Sequence, residues 1–328
     1  PVFKIPSSWT WNATIQREIG MGTTVEVGYV GRQGQNLERT RELNALPPGT
    51  RQANPGINEN FLRPYRGFAF INLGENAARS LYHGLQISVD RRFRNGLGFG
   101  GAYTFSKVED DASDRRAFIV NPFDAKHSWG PSNFDRRHVL VLNYVWELPI
   151  FKDGSTLAGK TLGGWEISGV TQFQTGTPNQ IGLSTDMAGV GTGNAFQPFV
   201  VNGDPRLPRG DRKFAGPDGT ANVDAYWFRT TNGSNRIFTA PAEGTFAPIG
   251  WRGSFYNPGI QSWNISLTKG FRVTESQSLQ FRSEFFNFLN HPNWNGPNTN
   301  PNNEATFGKI TGKSSDRRQI QLSLRYSF

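Results

Sequence analysis

The sequence predicts an all-β, antiparallel chain of about nine strands, and three observations predict it. The 328 residues hold 38 Gly, 20 Pro and 26 Phe but only 19% charged residues. That balance is rich in turn formers and aromatics and poor in the residues that fill helices. Apolar and polar residues alternate with a period of two in stretch after stretch, the signature of a strand with two different faces. The stretches are separated by connections that alternate between short and long along the chain.

The elements follow in order. "SWTWNATIQREI" sets Trp9, Trp11, Ala13 and Ile15 against Thr10, Asn12, Thr14 and Gln16. After "GMG", "TTVEVGYVG" puts Val25, Val27 and Tyr29 on one side. "LYHGLQISVDRRF" sets Leu81, Leu85, Ile87, Val89 and Phe93 against Tyr82, Gln86, Ser88 and Asp90. Asn95-Gly96 then marks a tight hairpin. Its partner "LGFGGAYTFSK" carries Leu97, Phe99, Tyr103 and Phe105 on one face. "RHVLVLNYVWELP" presents Leu140, Leu142, Tyr144, Trp146 and Leu148, and "WEISGVTQFQTG" presents Trp165, Ile167 and Phe173. "QSWNISLTKGF" (Trp263, Ile265, Leu267, Phe271) and "SLQFRSEFFNFL" (Leu279, Phe281, Phe285, Leu289) precede the last strand, "RRQIQLSLRYSF". That strand is apolar at Ile320, Leu322, Leu324, Tyr326 and Phe328 and polar in between.

The connections alternate: short (20–22), long (31–79), short (94–96), long (108–135), medium (149–163), very long (177–258), short (272–277) and long (291–316). A soluble sandwich or propeller gives loop length no reason to obey strand parity. An outer-membrane β-barrel does, with tight turns at the periplasmic end and long loops outside. No run of 18 apolar residues exists, so no helix of this chain is expected to span a bilayer. A barrel strand needs only about 9–11 residues with every other one apolar. Trp9, Trp11, Tyr144, Trp146, Trp165, Trp263, Tyr326 and Phe328 sit toward strand ends, where interfacial aromatic girdles belong. The fold predicted is therefore a partial outer-membrane barrel with long extracellular loops and short periplasmic turns.

Charge and cysteine narrow the function classes. The net charge of +9 comes from scattered residues, with no basic helix, RNP-type motif or zinc-finger spacing, so no nucleic-acid partner is expected. Cysteine is absent, which a bacterial envelope protein tolerates. The four histidines, His83, His127, His138 and His291, lack metal-ligand spacing. There is no G-x-S-x-G, H-E-x-x-H or G-x-x-x-x-G-K-[ST] motif, and no enzyme activity or cofactor is expected.

With the strands and their endings in view, "SLQFRSEFFNFLNHPNW", "NFDRRHVLVLNYVWELP", "GGWEISGVTQFQTGTP" and the closing aromatic strand resemble the C-terminal barrel of TonB-dependent outer-membrane receptors. The resemblance is to the Oar-like group, whose members carry a carboxypeptidase-regulatory-like domain, and it covers essentially the whole chain. It implies that Ile320, Leu322, Leu324, Tyr326 and Phe328 form the signal read by the barrel assembly machinery. It implies further that residues 1–328 are the last two-fifths or so of a longer receptor, without signal peptide, TonB box or plug. The energy of transport would then come from the inner-membrane TonB complex through the missing N-terminal part, and the ligand would be extracellular and unidentified. A passive porin or adhesin barrel and a soluble carbohydrate-binding protein are the rival classes.

Three groups of residues are candidates for contact. Arg136, His138 and Arg318 lie at the predicted extracellular rim, and the alternation points them toward lipid while Arg137 and Arg317 point inward. Arg suits lipopolysaccharide phosphates, but the favoured reading of Asp-Arg-Arg at 114–116, 135–137 and 316–318 is ordinary loop ion pairs. Tyr226, Trp227, Phe228, Trp251 and Tyr256 in the longest loop stack on a ligand or on one another. "EDDASD", with Glu109, Asp110, Asp111 and Asp114, reads as a solvated acidic loop, with a Ca²⁺ site as the less favoured alternative.

Overall fold

Alternation along each segment becomes the two faces of one twisted sheet. The computed structural model describes residues 4–151, 156–191, 197–212, 216–220, 225–274, 276–315 and 317–328. Nine long strands make the sheet: β1 (Ser7–Gly20), β2 (Thr23–Glu42), β3 (Asn72–Arg94), β4 (Leu97–Asp110), β5 (His138–Glu147), β6 (Trp165–Gln174), β7 (Ile260–Arg272), β8 (Ser278–Phe286) and β9 (Gln319–Ser327). They pair antiparallel with their sequence neighbours from β1 to β9, and the two-residue strand Gly130–Pro131 adds to β4. Among the described residues β1 and β9 do not pair with each other, so the sheet is an open part of a barrel wall.

Register carries each face unbroken across the strands. One row runs Ile15, Val27, Ile87, Tyr103, Leu140, Phe173. Another runs Phe99, Tyr144, Gly169, Ile265, Phe285, Ile320. The row beside the first on the other face runs Gln16, Glu26, Ser88, Ala102, Val141, Gln172, Ser262. One face is thus mainly apolar across the sheet, and the other is mainly polar. The apolar face is also bare: Ile15 is 78% exposed and Leu322 and Leu324 each 66%. In water such a face would be an aggregation surface; against hydrocarbon it is solvated.

Local chemistry fixes the ends. At Asn95-Gly96 both residues have positive φ, 55° and 78°, as a two-residue type I′ hairpin requires. Gly31 on the apolar face lies under the Trp11 ring, where any Cβ would collide with the indole. The turns 21–22, 95–96, 148–164 and 273–277 lie on one rim, and 43–71, 111–137, 175–259 and 287–318 on the other.

Two boundaries differ from the sequence reading. The connection placed at 31–79 is confined to 43–71, because β2 and β3 run on together past the apolar stretch. A bulge between Gly34 and Glu38, with Asn36 at φ 54°, shifts the pairing and hides the period of two. Ion pairs hold the extension: Glu75 sits 2.9 Å from Arg39 and 3.0 Å from Arg41. The strand read through Leu289 ends at Phe286, since Asn287 turns into the left-handed region at φ 53°.

Candidate functional site: the loop layer

The buried apolar clusters of the described residues lie not in the sheet but in the long connections on one rim. Phe228, Phe238, Phe255, Ile237, Ile181 and Phe199 form the largest cluster, all from 175–259. Phe228 stacks on Phe255 at 4.2 Å between ring centres, and Phe307 of the last long loop meets it edge-on at 5.6 Å. Each such buried ring contributes about 1.5–3 kcal/mol by leaving water. The loops therefore form a packed layer of their own rather than free tails.

Four buried polar anchors tie the loops to one another and to the strand ends. Arg252 is buried and donates to the Asp110 carboxylate at 2.9 Å, to Ser128 O at 2.8 Å and to Ser113 Oγ at 2.6 Å. Arg63, also buried, donates to Asn44 O at 2.8 Å and Gly191 O at 2.6 Å, and pairs with Glu59 at 2.9 Å, linking 43–71 to 175–259. Asp135 is fully buried; it accepts from Val108 N and the Tyr256 hydroxyl and pairs with Arg137 at 3.1 Å. His127 is buried beside Phe246 and Trp251, with Nε2 on Ala247 O at 2.7 Å, and Trp251 Nε1 donates to its carbonyl.

Electrostatics follow from this burial. Desolvation pushes the His127 imidazole below its ordinary range, and its Nδ1 has no hydrogen-bond partner. Desolvation also pushes the Asp111 carboxyl up, against a hydrogen bond from Arg79 N and the charge of Arg39. Glu38, at the exposed rim, is held below its ordinary range by hydrogen bonds from Arg116 and Arg115.

The acidic run is thus not a solvated loop throughout. Asp110 and Asp111 are buried and committed to Arg252 and Arg39, and no group of His or carboxylates able to hold a metal occurs among the described residues. What the layer leaves open is a polar recess of about 680 Å³ between 43–71 and 175–259, whose lining includes Arg51, Asn58, Glu59, Asp186 and Glu243. Arg51 stands 3.5 Å from Glu59 and 3.6 Å from Asp186 across it. Nothing in the sequence pattern marked this recess, because its walls come from loops more than 100 residues apart.

The sequence-derived candidates fall in different places. Tyr226, Phe228 and Trp251 are buried in the loop layer, and Trp227 and Tyr256 are half-buried. Trp227 donates Nε1 to Tyr256 O and carries the Arg212 guanidinium 4.3 Å over its ring. His138 opens β5 on the apolar face, and Arg136 precedes it, donating to Thr175 O. Arg318 lies apart from them just before β9, donating to Phe288 O; Asp316 lies outside the described residues. Ile320, Leu322, Leu324 and Tyr326 line the apolar face of β9, and Phe328, 94% exposed, follows it.

Comparison with known proteins agrees with the sheet. The model of a family described as outer membrane beta barrel domain matches residues 1–321. No curated protein sequence matches the chain. Among solved structures it is similar to the outer membrane transporter YddB from Escherichia coli, at 10% identity over 99% of this chain and 33% of that one, with a TM-score of 0.49. It is similar to the ferripyoverdine receptor of the Pseudomonas aeruginosa outer membrane, at 12% identity over 98% of this chain and 27% of that one, TM-score 0.39. It is similar also to the ferric-catecholate import receptor Fiu from E. coli K12, at 12% identity over 90% and 36%, TM-score 0.26. The chain spans about a third of the length of these structures. With a match over nearly its whole length, the chain belongs to the outer membrane beta barrel domain family, and its place is the cell outer membrane.

Proposed function

We propose that this chain is the C-terminal barrel segment of a TonB-dependent outer-membrane receptor of the Oar-like group, supplying part of the lumen wall and the extracellular ligand-capture loops. The observation that carries the reading is the asymmetry of the two rims: three tight turns and one medium connection on one, and on the other a packed loop layer with its own aromatic core and an open polar recess. The motif resemblance in "SLQFRSEFFNFLNHPNW" and "GGWEISGVTQFQTGTP" adds the family detail. In this reading the strands hold the wall, the loops hold an extracellular ligand, and the inner-membrane TonB complex supplies energy through parts outside residues 1–328. The role is non-enzymatic.

The capture surface consists of the recess and the half-buried pair Trp227 and Tyr256. The buried Tyr226, Phe228 and Trp251 would act by holding these loops in place. Ile320, Leu322, Leu324, Tyr326 and Phe328 serve assembly.

Two measurements test this. Site-specific crosslinking in energised cells should trap the protein carrying this chain with TonB. Reconstituted into a planar bilayer, the same protein should show no steady conductance. Robust open-channel current with no TonB crosslink would replace the receptor reading with a passive pore.

A further inference from the structure

The apolar face of the sheet is interrupted near its loop rim by a compact group of nitrogen donors. Register places His83 of β3 opposite Lys107 of β4, and β4 carries the row on to β5, where Phe105 is opposite His138. One step further out, Ser106 N donates to Arg137 O at 3.0 Å, which brings the segment before β5 alongside the end of β4. His83 and Lys107 thus lie side by side on β3 and β4, and Arg136, two residues before the start of β5, extends the row with its Nη1 turned to Thr175 O, His138 lying just below.

Two features show that the group is ordered. His83 accepts or donates at Nδ1 with the Tyr29 hydroxyl at 2.6 Å, and His138 does the same with the Tyr103 hydroxyl at 2.8 Å. In each pair the tyrosine comes from the neighbouring strand, and the rings stack about 6.1 Å apart. Both imidazoles are therefore fixed at Nδ1, which leaves Nε2 for another partner. Phe105 stacks on His138 at 5.0 Å, and Trp11 meets His83 edge-on at 6.2 Å. The donors are thus framed by aromatic rings on the membrane-facing side of the wall.

Existing contacts do not exhaust these donors. Lys107 pairs with Glu109 at 2.8 Å while its side chain stays 46% exposed. Arg136 gives one Nη1 hydrogen to Thr175 O at 3.1 Å. An ammonium carries three hydrogens and a guanidinium five, so each keeps N–H groups to spare.

We infer that His83, Lys107, Arg136 and His138 form a binding site for the phosphorylated saccharide headgroup of an outer-leaflet lipid, namely lipid A. The position decides the class of ligand. A donor row set on the apolar face, with Leu85 and Ile87 continuing that face below it, is reached by a molecule with acyl chains beside the wall and anionic groups at the rim. Arg and Lys both serve phosphate, Arg as a fork and Lys as a point charge. The inference rests on the outer-membrane placement of the sheet and not on the receptor reading, so failure of one leaves the other standing.

The test uses the protein extracted from outer membranes in detergent and native mass spectrometry with added lipid. Bisphosphorylated lipid A should be retained at least ~10-fold better than dephosphorylated lipid A, a factor set by several partly exposed charge contacts acting together. A variant carrying His83→Gln, Lys107→Gln and Arg136→Gln should lose that preference, while Arg32→Gln on the opposite face should keep it. Lys107→Gln alone should weaken retention by ~2–3-fold, which keeps the test available if the triple variant does not assemble. Heat-modifiable migration confirms folding of every variant. Equal retention of dephosphorylated lipid A, retention of phosphatidylglycerol as strong as that of lipid A, or unchanged retention by folded variants would each overturn the site.

Discussion

Arg252 shows how single side chains hold the loop layer. Its guanidinium and the Asp110 carboxylate are both almost out of solvent, so removing the cation strands a buried charge, which costs about 3–5 kcal/mol. Arg252→Ala is expected to leave the strands folded but open 175–259 to limited proteolysis, seen as rapid trypsin cleavage within that loop while the heat-modifiable band persists. His127 gives the layer a pH dependence. Burial lowers its folded pKa below the ordinary value of 6.5, so the unfolded loop binds the proton more readily. Its contribution is complete above about pH 6.5 and is lost as pH falls toward the depressed value. Hydrogen exchange around 125–128 and 246–251 should quicken between pH 7.5 and 5.5, and His127→Phe should remove that difference.

Strands and turns carry most of what the sequence announced. β1, β6, β7 and β9 were legible because each is apolar on one face and polar on the other, and the short turns because Asn95-Gly96 has few other uses. β2 was legible only to Gly31, since its further half is polar on both faces and is paired through ion pairs and a bulge rather than an apolar stripe. β5 is apolar on both faces, with Val139, Val141 and Val145 on the polar side of the sheet, so its orientation was settled by Leu140, Tyr144 and Trp146 alone. Gly31 illustrates a constraint the pattern does not reveal. It has no side chain because the Trp11 ring covers it. Gly31→Leu should displace that ring at a cost of about 1–3 kcal/mol, lowering the temperature at which the heat-modifiable band is lost. At β9 the expectation is kinetic: Phe328→Ser should reduce the outer-membrane yield of the full-length protein without changing the melting of the molecules that do assemble.

For the molecule as a whole, hydrophobic burial is divided between two environments. The sheet keeps its apolar face bare, as Ile15, Leu322 and Leu324 show, while the loops bury their aromatics against one another. That division explains why the loop aromatics were hard to read in advance. Tyr226, Phe228 and Trp251 have no periodicity, and their burial depends on contacts between 175–259, 111–137 and 287–318. The polar recess was hidden for the same reason, and of the donor group only Arg136 and His138 were read in advance, since register alone brings His83 and Lys107 beside them.

The apolar face of the sheet lies against lipid and the polar face against water. The chain contains no cysteine, so single cysteines can be placed along β9 and spin-labelled in outer-membrane vesicles. Labels at positions 320, 322 and 324 should collide with oxygen and be shielded from a water-soluble nickel chelate, and labels at 319, 321 and 323 should show the reverse. Uniform access to the chelate along β9, with no alternation, would show that neither face meets lipid.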